Sequence, residues 1–146
     1  MLGEVDSARC SIARATEVLG DRWTVLILRD LFNGIRRFDE LASHLGVARN
    51  VLTRRLAGLV DAGVAVRTPY REPGSRERHE YRLTAAGRDL RPVLLALVAW
   101  GDAHRPDPQG PPVRFEHDGC GGRVGLELRC SHGHEVPPRE LLSIPQ

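Results

Sequence analysis

Apolar residues recur at helical spacing through most of the first hundred positions, and the breaks in that recurrence divide the stretch into elements. Ile12, Ala15, Thr16 and Leu19 form one amphipathic set, closed by Gly20. Asp21 stands at an N-cap position, Trp23, Leu26, Ile27 and Leu31 make the next buried stripe, and Asn33 and Gly34 end it. Phe38, Leu41 and Leu45 predict a third helix, and Leu52, Leu56, Leu59 and Val60 a fourth, with a few residues around Gly46 and Val47 between them. The period then shortens to two. Val64 and Val66 alternate with Ala65 and Arg67, and Tyr81 and Leu83 alternate beyond a polar loop, as in a half-buried hairpin. Thr84 is placed to cap a segment whose Leu90, Leu94, Leu97, Val98 and Gly101 lie near one face. Pro92 interrupts it, which predicts a short helix, a bend and a longer helix starting near the proline.

Two helices joined by so short a turn, followed by a hairpin, describe an α+β, mainly α chain built on a winged helix-turn-helix. The expected organisation is a winged helix-turn-helix and dimerisation domain at 1–103, a Pro-rich linker at 104–114 and a ribbon-like appendage at 115–146. With Leu52, Leu56 and Leu59 turned inward, Asn50, Thr53, Arg54 and Ala57 face outward. Arginine can hold guanine O6 and N7 with two bonds and asparagine can do the same for adenine, so Asn50, Thr53 and Arg54 are the candidate base readers. Arg49 at the helix start and Arg55 on its flank are placed for phosphate. The hairpin tip, with Arg71, Arg76 and Arg78, is expected along the sugar-phosphate backbone or in the minor groove.

Charge supports that reading through its distribution. The whole chain carries only +2, yet residues 49–82 hold eight Arg against four acids, a local +4 that leaves −2 elsewhere. All 21 basic residues are Arg, a composition expected of a GC-rich, bacterial coding genome. The chain is long enough for one domain with an appendage. No apolar run approaches the roughly 20 residues needed to cross a bilayer, and the N-terminal stretch lacks the charged start and apolar core of a signal peptide, so a cytoplasmic protein is expected. Trp23 reads as a core anchor in preference to a ligand-stacking residue.

Beyond the Pro-rich stretch, His117 and Cys120 are three apart, Val124, Leu126 and Leu128 alternate, and Cys130, His132 and His134 follow. Two knuckles joined by a short strand pair make a zinc ribbon, with His117, Cys120, Cys130 and His132 or His134 as ligands. A metal-free hairpin and a Cys120–Cys130 disulfide are the other readings of the same residues. The tail's Cys and His residues have no third orienting group or oxyanion element beside them, so an enzyme is not expected. The alternative to a DNA-binding regulator is a protein-interaction module whose winged helix has lost operator binding.

Three strings, CSIARATEVLGDRWTVLILRDLFNGIRRFDEL, VLTRRLAGLVDAGVAVR and YRLTAAGRDLRPVLLALVAWG, resemble the HxlR-type transcriptional regulators, relatives of the MarR-type winged-helix proteins. The resemblance covers Cys10 to about Gly101. It implies a homodimeric regulator of an inverted-repeat operator, possessing a dimer seam between the first and last helices in which Ile12, Thr16, Leu19, Leu94, Leu97 and Trp100 are the candidates. It also implies a candidate redox-sensing thiol at Cys10, beside Arg9 and Arg14, and a small-molecule effector. A free cysteine is equally at home as a small buried residue. The family usually carries Ser and then Lys where this chain has Ala48 and Asn50, so the helix cap and one contact differ. It commonly has Gly-Lys where Asp21 and Arg22 stand. Some members carry a similar tail with a second CxxC, and here Gly133 takes the place of the last Cys.

Overall fold

A computed structural model of the chain describes residues 9–144. Those residues form two compact units, one ending at Arg91 and the other beginning at Pro92. The division sets the last long helix with the tail, where the sequence reading divided the chain at 103 and 104.

In the first unit α1 (Ser11–Leu19) is followed by α2 (Arg22–Phe32), whose first turn is capped by Asp21. Its Oδ1 accepts the N–H groups of Trp23 at 3.0 Å and Thr24 at 3.2 Å. The face that α2 buries is Thr24, Ile27, Leu28 and Leu31, because two later helices and a strand of the same unit pack against α2. Trp23 and Leu26, expected in the stripe, lie on its margin and are half-buried, with the Arg22 guanidinium 5.0 Å from the Trp23 ring centre. Asp30 is fully buried, which a carboxylate tolerates only with partners. Its Oδ1 accepts from Arg29 Nε at 2.8 Å, and its Oδ2 lies 2.7 Å from His44 Nδ1, tying the end of α3 to α2.

α3 (Phe38–Leu45) ends at Gly46, whose φ of +62° is the left-handed conformation that reverses the chain without a Cβ clash. After Val47 and Ala48, α4 (Arg49–Asp61) begins, burying Leu52, Leu56 and Leu59. Val64 donates its N–H to Leu59 O at 2.9 Å, so it belongs to the turn that closes α4. The strand alternation expected from Val64 therefore starts one residue late. β1 (Ala65–Tyr70) buries Ala65 and leaves Val66 exposed, pairing antiparallel with β2 (Arg78–Leu83) in the register Ala65↔Leu83, Arg67↔Tyr81 and Tyr70↔Arg78. Tyr81 N–H to Arg36 O at 2.9 Å and an Arg37↔Glu80 bridge fasten the entry to α3 along β2.

The predicted short helix, bend and longer helix are α5 (Ala85–Arg88) and α6 (Arg91–His104), with Pro92 in the first turn, where its missing N–H is harmless. The Thr84 hydroxyl donates to Gly63 O at 2.6 Å and accepts from Gly87 N–H at 3.1 Å, which locks α5 onto the end of α4. Gly87 is buried there, and a Cβ on it would stand 2.1 Å from Val64 O, so only glycine fits.

In the second unit α6 has no buried residue and leaves Val93, Leu97, Val98 and Trp100 exposed. The tail forms two small turns. His117 N–H to Gly122 O and Val124 N–H to Phe115 O close the first, and Cys130 N–H to His134 O and Val136 N–H to Leu128 O close the second. Val124, Leu126 and Leu128, expected to alternate in a strand pair, lie outside any strand and are each exposed by more than 40%. Turns this short supply too few ladder bonds to propagate. Val113, Phe115, Val124 and Leu126 instead line a shallow cleft of about 150 Å³ together with Leu95, Val98 and Ala99 of α6.

Candidate nucleic-acid interface

The surface expected to meet DNA is built from the outer face of α4, the start of α3 and the hairpin, all within the first unit. Helix α4 turns Arg49, Asn50, Thr53, Arg54 and Ala57 to solvent while its Leu stripe is sealed inside. Ala48 provides no side-chain cap, the consequence expected of its replacing Ser. Asn50 Oδ1 accepts the N–H of Val51 at 2.9 Å instead, and Thr53 Oγ1 donates to Arg49 O at 2.8 Å. Arg54 makes no ion pair among the described residues.

Its neighbour Arg55 is placed differently. Arg55 lies on the helix flank, half-exposed, its Nη2 is 2.8 Å from Asp21 Oδ2, and its Nε is buried with no acceptor among the described residues. One carboxylate thus caps α2 and anchors α4. Arg55, expected on phosphate, has a carboxylate partner in the free chain, with 40% of its side chain open to solvent.

Between α4 and the hairpin lies a cleft of about 430 Å³ lined by Arg49, Arg67, Arg76 and Arg78, by Phe38, Tyr70, His79 and Tyr81, and by two acids, Asp39 and Glu77. Arg49 stacks 4.7 Å over Phe38 and donates from Nη1 to Asp39 Oδ1 at 2.8 Å. Arg78 Nη1 approaches the other oxygen of Asp39 at 3.9 Å. The hydrogen bond from Arg49, then its charge and those of Arg78 and Arg76, hold the Asp39 carboxyl below the usual carboxylate range. Arg67 Nη2 lies 3.1 Å from His79 Nδ1 across the hairpin. At the hairpin tip Arg71 Nε donates to Ser75 O at 3.1 Å, which shapes the turn around Gly74. Arg37 stacks 4.5 Å over Tyr70 and bonds Glu72 at 2.6 Å, and that hydrogen bond holds its guanidinium more firmly protonated than usual.

Sequence reading found Arg49, Arg76 and Arg78 and missed Asp39, Arg67, His79 and the two tyrosines. Strand pairing could have revealed Arg67 and Tyr81, which sit opposite each other, but nothing local to Asp39 distinguishes it from an ordinary acid in a first helical turn.

The remaining candidates lie elsewhere. Cys10 is half-buried at the N-cap of α1, and Arg14, expected to favour its thiolate, bonds Arg9 O at 2.7 Å and Ser11 Oγ at 3.0 Å. Ile12 and Thr16 of α1 and Leu97 and Trp100 of α6 are exposed, and Leu19 and Leu94 half-buried. In the tail His117 Nδ1 lies 3.2 Å from Cys120 Sγ, and all three cysteines are free thiols. His132 and Cys130 do not join that pair: among the described residues no three His, Cys, Asp or Glu side chains converge as metal ligands. Gly133 stands where a second CxxC would have its last Cys.

Comparison with known proteins agrees with this geometry. An HTH-type transcriptional regulator of Mycobacterium tuberculosis, Rv3095, itself uncharacterised, is 46% identical over 136 residues, covering 92% of this chain and 85% of its own. The crystal structure of PA1607, described as a candidate transcription factor, superposes with a TM-score of 0.84 at 37% identity over 95% of this chain and 96% of that one. A second such structure, PA1374 from Pseudomonas aeruginosa, matches with a TM-score of 0.65 at 40% identity over 94% of this chain and 92% of that one. The sequence profile of the HxlR-like helix-turn-helix family matches residues 18–109, and the chain belongs to that family of transcriptional regulators.

Proposed function

We propose that the protein is a homodimeric regulator that binds an inverted-repeat operator, with α4 in the major groove and the hairpin against the backbone. The observation that carries this reading is the division of α4 into a sealed Leu52, Leu56 and Leu59 face and an open Asn50, Thr53 and Arg54 face beside an arginine-lined cleft. Arg54 and Asn50 read base edges, Thr53 assists, and Arg49, Arg71, Arg76 and Arg78 meet phosphate. The exposed faces of α1 and α6 are the surfaces on which a second copy associates, setting the two reading helices about one turn of DNA apart, roughly 34 Å. No helix of the described residues is long and apolar enough to cross a membrane, in keeping with a cytoplasmic regulator. A small molecule or an oxidant acting at Cys10 is the effector class the family suggests.

Gel-shift binding to DNA upstream of the protein's own coding region and of its neighbours, at two salt concentrations, tests the reading. Saturable binding that survives excess random DNA is the expected result. Binding that random duplex competes away at equal concentration would remove operator recognition, and sedimentation as a monomer at micromolar concentration would remove the dimer.

A further inference from the structure

We infer that Asp39 acts as an internal stand-in for a DNA phosphate, holding Arg49 and drawing on Arg78 in the free protein so that both exchange a carboxylate for the backbone on binding. The inference rests on the DNA-binding reading above and concerns how that site is regulated.

Three observations place Asp39 in that role. It stands in the first turn of α3, facing the start of α4 and the hairpin, the two elements whose arginines line the cleft. Its two oxygens are divided between them, Oδ1 at 2.8 Å from Arg49 of α4 and Oδ2 at 3.9 Å from Arg78 of β2. An anion bridging cations from two separate elements is what a phosphate does when a winged helix seats on DNA. The pairing is also exposed, with 62% of the Asp39 side chain and 67% of the Arg49 side chain open to solvent. Ion pairs so exposed contribute little to folding, so core stability gives no account of this arrangement. Glu77, the other acid of the cleft, makes no ion pair among the described residues, and it does not hold Arg49 or Arg78.

The consequence is a brake common to all duplexes. Each binding event must displace the carboxylate, and the carboxylate repels the phosphate that replaces it. Arg49 meets phosphate in this scheme and not bases, so the brake acts on affinity and leaves the ratio between operator and random DNA unchanged.

The test compares Asp39→Asn with the wild-type chain by fluorescence anisotropy on an upstream duplex and on a random duplex, across a salt series, alone and in an Arg49→Ala background. Asp39→Asn is expected to tighten both complexes by about three- to tenfold near 0.15 M salt and to steepen the salt slope by about one unit. In the Arg49→Ala background most of that gain should vanish, because the cation it frees is gone. Equal tightening with and without Arg49 would overturn the inference, leaving only a general charge effect, as would unchanged or weaker binding by Asp39→Asn. Asn retains a helix-start preference, and matching thermal unfolding of the two chains verifies that the fold is intact. Wild-type binding with no gain in the variant removes this inference alone. Absence of DNA binding by every chain removes the DNA-binding reading, and the inference with it.

Discussion

The unit ending at Arg91 and the unit beginning at Pro92 carry similar hydrophobic patterns and use them differently. In the first, every buried apolar side chain of the described residues is found, from Ile27 on α2 to Ala65 on β1. In the second, α6 is as rich in Leu and Val as α4, yet none of its residues is buried. Periodicity therefore specifies that a helix forms. Whether its stripe is covered depends on how many other elements the same chain brings to it. Three elements besides α1 converge on α2, whereas α6 shares its unit with a tail of short turns. The uncovered stripe is the feature that the proposed homodimer explains.

The largest expected effect separates the two units by stability. Leu56 of α4 is fully buried, and Leu56→Ala should cost about 2–5 kcal/mol in urea unfolding monitored by circular dichroism. Leu126, 47% exposed in the tail, should lose less than about 0.5 kcal/mol on the same truncation. Similar losses at both positions would mean that the tail belongs to the same cooperative core, and the contrast between the units would fall.

A smaller effect divides two adjacent arginines of α4. Arg54→Ala should cost about 1–3 kcal/mol on the operator and relax base preference at one position while leaving unfolding unchanged. Arg55→Ala should do the reverse, shifting unfolding by about 1 kcal/mol at most through loss of the half-exposed Asp21 tie, with little change in sequence preference. Titration of both variants against operator and scrambled duplexes decides this, and equal losses on the two duplexes for Arg54→Ala would remove its base-reading role.

This pair also marks how far the sequence can be read. Leu52, Leu56 and Leu59 at helical spacing, Gly46 between two helices and Thr84 ahead of α5 are local signals, and each element they predict is present. The faces that depend on distant partners were less legible. Trp23 was expected within the buried α2 stripe and lies at its margin, because the packing side is chosen by α3, α4 and β2, further along the sequence. Val66 follows the strand period but is exposed, since a two-stranded hairpin has no second layer to cover it. Arg54 and Arg55 are identical letters one position apart. Only the folded position of Asp21 distinguishes the free one from the tied one.

A finer test concerns the charge balance inside the cleft. The hydrogen bond from Arg49 depresses the Asp39 carboxyl in the folded chain, so the attraction it represents is present above the ordinary carboxylate range and is lost as pH falls through the lowered value. Because the carboxyl is largely exposed, the effect belongs to its titration and not to measurable fold stability. Carboxyl NMR should find Asp39 titrating below the ordinary carboxylate range, and Arg49→Ala should move it back upward. An Asp39 that titrates in the ordinary carboxylate range in the wild-type chain would show that Arg49 is not held there in solution, which would also weaken its role as a phosphate stand-in.

The smallest expected effect is that of a chelator on the tail. A zinc ribbon needs four ligands drawn to one point, and here the His117–Cys120 pair is not joined by Cys130 or His132, while Gly133 fills the last knuckle position. The turns have another support, since Val113, Phe115, Val124 and Leu126 gather beside Leu95, Val98 and Ala99 of α6. Protein purified without chelators should therefore contain far less than one zinc per chain, and added EDTA should leave amide exchange between Phe115 and Val136 unchanged. Truncating the α6 side of that cleft, as in Leu95→Ala, should instead speed exchange in the same segment, because it removes apolar contact from turns that own few ladder bonds. Stoichiometric zinc together with faster exchange after chelation would reverse the assignment and make the metal, with His134 as a candidate fourth ligand, the tail's principal source of order.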